Sequence, residues 1–148
     1  MALFTYIPSK VDIEISGYKV SGHISVSVTL DTPAFRTIKG IRGRNTRVRT
    51  KSTSGVLRLE VLQTSQANDV FSEMLYKDIA SGTGRQVIKI KDNSGSSLLF
   101  TDNAYIESFP ELSFSMQAGT RVWVFNCLSI PLDQFNVGGN YKPTFDLF

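Results

Sequence analysis

His23 and Cys127 are the single histidine and the single cysteine of this chain. Nucleophilic catalysis by Cys or Ser usually needs a positioned base. His23 instead opens an alternating stretch beside Gly22, where a structural histidine is the simpler reading. Cys127 lies in the most apolar stretch, where a thiol behaves as a small buried hydrophobe with a raised pKa. Asp12 and Glu14 share one face of a period-2 segment, and without a pocket to converge on they read as a solvated face or a partner contact. Gly82-Thr83-Gly84-Arg85 and Gly138-Gly139 lack the Lys-Ser/Thr of a phosphate loop and the strand-to-helix order of a dinucleotide fold, so they read as turns. One Cys excludes an intramolecular disulfide, and one His excludes a multi-histidine metal site. No cofactor, metal or small-molecule substrate is expected, and the chain is read as a non-enzyme.

The remaining chemistry is charge. Arg36, Lys39, Arg42, Arg44, Arg47, Arg49 and Lys51 supply seven of the 16 basic residues, and no acid occurs between Asp31 and Glu60. Without that segment, nine basic residues face thirteen acidic ones, a net of −4, so the overall +3 describes one basic region on an acidic body. These arginines could neutralise phosphates. Against base stacking, no aromatic residue occurs between Phe35 and Phe71. Docking onto an acidic protein surface, nucleic-acid binding and a merely solvated loop all remain open at this point. Candidate acidic counterparts are Asp69, Glu73, Asp78, Asp92, Asp102, Glu107 and Glu111.

The elements that would position these groups are mostly strands. At 148 residues, 41% hydrophobic and 20% charged, the chain can bury one core. Its N-terminal stretch has no basic region followed by a long apolar one, and no 18-residue apolar run occurs, so a soluble protein of a reducing cytosol is expected. Alternation predicts strands over 11–16, with a turn at Gly17 and a short partner through Val20, and over 23–30, 55–63, 86–91, 97–101, 104–109, 112–117 and 121–130. Turns fall at Asp92-Asn93-Ser94-Gly95 and Asp102-Asn103. Residues 66–81 repeat apolar positions at Ala67, Val70, Phe71, Met74, Leu75 and Ile79, which predicts one helix, stopped by Gly82. Residues 31–54 show no sustained periodicity and read as an unusually long basic loop. The 121–130 strand, apolar on both faces, should lie centrally between layers.

On this reading residues 1–130 are one domain and 131–148 an arm whose aromatics, Phe135, Tyr141, Phe145 and Phe148, would pack on a partner. Ser25, Ser27 and Thr29 oppose Ile24, Val26 and Val28. Likewise Ser113, Ser115 and Gln117 oppose Leu112, Phe114 and Met116. Each pair of rows predicts a strand with an apolar face toward the core and a small polar face outward.

Several segments together resemble the tail-tube proteins of contractile-tailed bacteriophages, in the group of small phage structural proteins. The resemblance rests on Gly17 through Gly22, on Leu62-Gln63-Thr64-Ser65 with Asn68-Asp69, on Ile90-Lys91-Asp92 with Gly95, and on Ala118-Gly119-Thr120-Arg121 with Trp123. It implies a mainly β fold, a tail-tube-like sandwich or barrel with one flanking helix. It further implies homohexameric rings whose inner sheets join into a β-barrel and stack into a tube. Implied partners are other copies of the chain, the tail sheath, the baseplate hub, the tape-measure protein, and DNA in transit without sequence-specific binding. The implied location is the virion tail, with the host cytoplasm during assembly. The resemblance departs at the long loop, here strongly basic, and at His23-Ile24 after Gly22. A tube-initiating baseplate ring and a secretion-system tube are alternatives within the same architecture, and a nucleic-acid-binding β-barrel is the alternative of another class. Within the resemblance, Ser25, Ser27, Thr29, Ser113, Ser115 and Gln117 would line the lumen, and the seven basic residues would make contacts between subunits or rings.

Overall fold

A computed structural model describes residue 4 and residues 6–139. The chain enters through a 3-10 turn, Pro8–Lys10, and forms β1 (Val11–Ile15) and β2 (Tyr18–Lys19). Ser16 and Gly17 both have positive φ, 51° and 85°, which is the two-residue hairpin geometry that suits strand twist. β3 (His23–Leu30) follows, then β4 (Phe35–Lys39), β5 (Asn45–Arg49) and β6 (Gly55–Leu62). The helix α1 spans Ala67–Ser81, and Gly82 ends it in the left-handed region at φ 71°, its N–H donating to the Asp78 carbonyl at 2.7 Å. β7 (Gln86–Asp92), β8 (Leu98–Ile106), β9 (Thr120–Cys127), a 3-10 turn at Leu132–Gln134 and β10 (Phe135–Asn136) complete the chain.

The main sheet is antiparallel in the order β2-β1-β7-β8-β9-β6-β3, with β10 also on β8. It is open, with β2 and β3 at its ends. The expected turn at Asp102-Asn103 is instead a bulge inside β8. Gln86 pairs with Ala104 and Ile88 with Thr101, so two residues of β8 face Val87 alone. The bend divides the strand. On the side away from β7, Leu98 and Leu99 pair with β10, whereas Ala104 to Ile106 pair with β9. Apolar residues from both halves then meet in one core, Ile13, Ile15, Ile88 and Leu99 with Leu57, Leu59, Trp123, Phe125 and Cys127.

Helix α1 seals this core. Ala67, Phe71 and Leu75 are buried, and the Phe71 ring meets Trp123 and Phe125 edge-on at 5.5 and 5.4 Å. Ile79, placed by periodicity on the same stripe, is exposed. β9 is central in the sheet, between β8 and β6, but has a single buried face: Arg121, Trp123, Phe125 and Cys127 are buried while Val122 is exposed and Val124 and Asn126 are half-buried.

Three further expectations are corrected. Residues 31–54 are not structureless, because β4 and β5 pair as a hairpin from Phe35↔Arg49 to Lys39↔Asn45. Alternating Thr, Val and Ile among the arginines suffice for a ladder, although charge hides the period. Residues 112–117 are not a strand, and Leu112, Phe114 and Met116 are exposed instead of facing the core. Phe135 is built into the body: it pairs with Leu99 in β10 and packs against the core, so the expected arm does not begin at residue 131. Tyr141, Phe145 and Phe148 lie outside the described residues.

Candidate assembly surface

The basic hairpin is anchored at its base and exposed beyond it. The Asp31 N–H donates to the Ser54 carbonyl at 3.0 Å, the Ser54 hydroxyl donates to the Asp31 carboxylate at 2.9 Å, and the Ile130 N–H reaches the Thr53 carbonyl at 3.0 Å. From Asp31 to Arg47 every residue is exposed, and Val48 is half-buried. Directly opposite residues of an antiparallel pair share a face. Phe35, Thr37 and Lys39 therefore lie on one side with Arg49, Arg47 and Asn45, while Arg36 and Ile38 lie on the other with Val48 and Thr46. The first face is cationic, and the Arg47 guanidinium sits 4.2 Å from the centre of the Phe35 ring. Ile38 is exposed on the second. Arg42 and Arg44 flank Gly43, at φ 81°, in the tip, where Ile41 is fully exposed. Lys51 follows β5 in the return to the body. The sequence thus located the charge but missed the two faces, which only register reveals.

Ser25, Ser27 and Thr29 are exposed on the strand expected of them, and strand pairing extends their face across three strands. Ser25 lies beside Glu60 and Val122, Ser27 beside Arg58 and Val124, and Thr29 beside Val56 and Asn126. The opposite face carries Val26, Leu59 and Trp123 into the core, whereas Ile24, expected on that face, is exposed at the bulge between His23 and Ser25. Arg58 and Glu60 were visible as an outward alternation but not as neighbours of the serine row. Ser113, Ser115 and Gln117 are exposed in the irregular segment after β8, and the structure does not join them to the β3 row.

That segment is held from below. Arg121 is buried, its Nη2 donates to the Ser113 carbonyl at 3.0 Å, and its guanidinium lies 5.7 Å from the Phe114 ring centre. The Gly119 N–H donates to Gln63 Oε1 at 3.0 Å, and the Gln63 N–H returns to the Gly119 carbonyl at 3.0 Å. Asn68, just inside α1, accepts from the Trp123 indole at 3.0 Å and donates to the carbonyls of Leu62, Ser65 and, at 3.3 Å, Gln63. Two of the motifs that carried the resemblance therefore meet at one clamp joining helix, β6 and β9. A third closes the β7–β8 turn, where Asp92 accepts from the N–H and hydroxyl of the buried Ser94.

His23 and Cys127 do not converge. His23 pairs across β6 with Val61, which faces Arg121, whereas Cys127 lies at the far end of β9 beside Gly55. Six residues of strand separate the two registers, about 20 Å. His23 is half-buried, and its Nδ1 has no hydrogen-bond partner among the described residues. Burial, reinforced by Asp31, pushes the Cys127 thiol up to about 11. Asp12 accepts from Asn93 at 2.7 Å, with Lys19 at 3.5 Å, and these contacts hold its carboxyl below the ordinary aspartate value against the opposing effect of desolvation. Gly84 is buried against Asp78, whose carboxylate accepts its N–H, so this glycine pair terminates the helix. Among the described residues no group of His, Cys, Asp and Glu could hold a metal ion, and no helix is long and apolar enough to cross a membrane.

Of the acids considered as counterparts for the hairpin, several are engaged within the chain. Glu73 pairs with Lys77 at 3.1 Å, Asp102 with Arg85 at 3.7 Å, Asp78 caps Gly84 and Asp92 holds its turn. Asp69, Glu107 and Glu111 are exposed without an ion pair among the described residues.

No protein-family profile matches the sequence. In fold, the chain is similar to the tube-terminating cap of the anti-feeding prophage, at a TM-score of 0.63 with 12% identity, covering 88% of this chain and 93% of that one. It is also similar to a chain from the sheath–tube complex of an extracellular contractile injection system in the extended state (TM-score 0.54, 14% identity, 86% and 90% covered). The sheath/tube terminator of the same kind of system gives 0.51 at 16% identity, covering 87% and 96%. In sequence it is 34% identical, over an alignment of 151 positions covering 93% of this chain and 84% of its relative, to the structural protein ORF10 of Pseudomonas phage KPP10. The chain therefore belongs to the family of that phage structural protein.

Proposed function

We propose that this chain is a structural subunit of a contractile phage tail, forming hexameric rings that stack as the tail tube through which DNA leaves the virion. One observation carries the reading: a chain in the family of a phage structural protein has the fold of tube-terminating and sheath–tube chains over nearly nine-tenths of its length. The surface supports it, with two open sheet ends and an exposed basic hairpin on a body of opposite net charge. Heterologous contacts between such surfaces close into rings or extend as stacks. The partners are then other copies, sheath, baseplate hub and tape-measure protein, and the location is the virion tail, reached from the host cytoplasm.

The β3-β6-β9 outer face would line the lumen. Ser25, Ser27 and Thr29 there present no fixed cation, and Arg58 lies beside Glu60 along β6, so phosphate gains little salt-dependent affinity in transit. A second reading, a terminating ring at the end of the tube, is favoured by the greater likeness to the prophage cap. Light scattering and negative-stain microscopy of the purified protein test both. Stacked rings support a tube subunit, and single rings that do not stack support a terminator. A monomer retained on heparin would overturn the assembly reading in favour of a nucleic-acid-binding barrel. Cryo-microscopy of the tubes would locate Ser27, and a position on the outer wall would refute the lumen assignment.

A further inference from the structure

Residues 112–117, Leu-Ser-Phe-Ser-Met-Gln, alternate strictly yet form no ladder. Leu112 and Phe114 are 76% and 75% exposed, and Met116 is fully exposed. An isolated subunit gains nothing from presenting three large apolar side chains in one row. Elsewhere the described residues form a matching apolar groove. β3 ends the main sheet, and its apolar residues Val26 and Val28 line an open groove of about 270 Å³ with Ile90, Leu99, Phe135 and Val137. Among the described residues nothing covers the row and nothing fills the groove, and the two have the same chemistry. Their polar sides also match, Ser113, Ser115 and Gln117 against Ser25, Ser27 and Thr29.

We propose that residues 112–117 of one copy add as a strand to the free edge of β3 in the next copy. Leu112, Phe114 and Met116 then cover Val26, Val28 and the groove, while Ser113, Ser115 and Gln117 continue the polar face of β3. The inference rests on the ring-forming reading above and names the contact that closes the ring. Period-2 alternation makes the pairing specific, because a slip of one residue would bring apolar side chains to the polar face. Other edges fit less well. β2 has two residues, too few to template six, and one face of the β4–β5 hairpin carries Lys39, Arg47 and Arg49. Pairing within one chain is disfavoured by position, since Arg121 on β9 holds the Ser113 carbonyl and β6 lies between β9 and β3. Donor and acceptor are different surfaces of one subunit, so the contact is head-to-tail and can close.

The test uses the full chain carrying Ser27→Cys, Ser115→Cys or both, at the centres of the two rows, so that the residues approach in either strand direction. Mild oxidation of the mixed single variants should give disulfide-linked dimers, and the double variant should give a ladder of higher oligomers, both abolished by reductant. Separately, Met116→Asp should raise the concentration for half-assembly by about tenfold or more while leaving the monomer's circular dichroism and melting temperature unchanged. Phe114→Asp should act in the same direction. Wild-type rings with no cross-link in the mixture, together with normal assembly of Met116→Asp, would overturn this pairing and leave the ring reading standing. A wild-type protein that forms no ring at any concentration would overturn both.

Discussion

Asn68 does the work of several residues, because its amide both accepts and donates. It receives the Trp123 indole N–H and gives hydrogen bonds to the Leu62, Gln63 and Ser65 carbonyls where β6 turns into α1, two of which also accept a backbone N–H. Asn68 itself is half-buried, but the Trp123 side chain it serves is buried, so removing the amide leaves the indole N–H without its partner, which costs more than the mean value of a hydrogen bond. Asn68→Ala should therefore lower unfolding free energy by about 2–3 kcal/mol in chemical denaturation. Asn68→Asp keeps the acceptor for Trp123 but loses the donors, and should recover only part of that loss. Cys127 offers a different readout. Its thiol is buried and held near 11 in the fold, above its value of 9.0 when unperturbed. The folded state thus keeps a proton that the unfolded state loses as pH rises above 9. Stability from this group is complete below pH 9 and falls between about 9 and 11, the sign expected when the unfolded state binds fewer protons. Urea unfolding at pH 8 and pH 10 should show the decline, and Cys127→Ser should flatten it. A thiol reagent at pH 8 should label the native chain far more slowly than the unfolded one.

Elements differ in how clearly their residues announce them. α1 and β3 were legible because one interaction dominates each, a core-facing stripe in the helix and a strict alternation in the strand. The hairpin was not, because arginines occupy alternate and non-alternate positions alike, and its ladder is satisfied without burying either face. Residues 112–117 show the converse: their alternation is as regular as that of β3, but a period specifies a strand only when an edge is available to pair with. Asp102-Asn103 carried a turn signal that the structure spends on a bulge, since Thr101 and Asn103 are tied to the chain around Ser129 and continue the strand past the bend. Among the candidate site residues, charge and polarity were readable, whereas shared faces were not, since Arg58 and Glu60 join the serine row only through register. The arm boundary follows the same logic. Truncation after Leu132 removes Phe135 from the core and the Asn136 contact with the Ser96 carbonyl at 2.9 Å, and should destabilise the monomer by about 2–3 kcal/mol. Truncation after Gly139 instead removes Tyr141, Phe145 and Phe148. It should leave the melting temperature within about 2 °C and impair assembly or sheath binding. Equal destabilisation by the two truncations would mean that the aromatics belong to the subunit's own core.

At the scale of the molecule the decisive asymmetry is electrostatic. Seven positive charges lie in residues 36–51 and the remainder of the chain carries a net −4, so hairpin against hairpin repels and hairpin against body attracts. On the assembly reading proposed above, this asymmetry favours head-to-tail contact, the kind that builds rings or stacks. Asp69, Glu107 and Glu111 are exposed and without ion pairs among the described residues, so under that reading they are the candidate counterparts of the hairpin. An exposed pair contributes only about 0–1 kcal/mol, but the contact recurs with every subunit added, and salt screens each occurrence over a Debye length of about 8 Å at physiological ionic strength. Replacing Arg42, Arg44, Arg47 and Arg49 by Gln should leave the core intact, because all four are exposed and the anchoring bonds at Asp31 and Ser54 lie outside the substitution. Sedimentation across a salt series should then show the wild type assembling less as salt rises, and the Gln variant assembling weakly at low salt with a nearly flat dependence. The two curves should converge above about 0.5 M salt, where screening has removed what the arginines supplied. If the variant instead assembles like the wild type at every salt concentration and loses only its retention on heparin, the hairpin binds nucleic acid and the subunit contacts lie elsewhere.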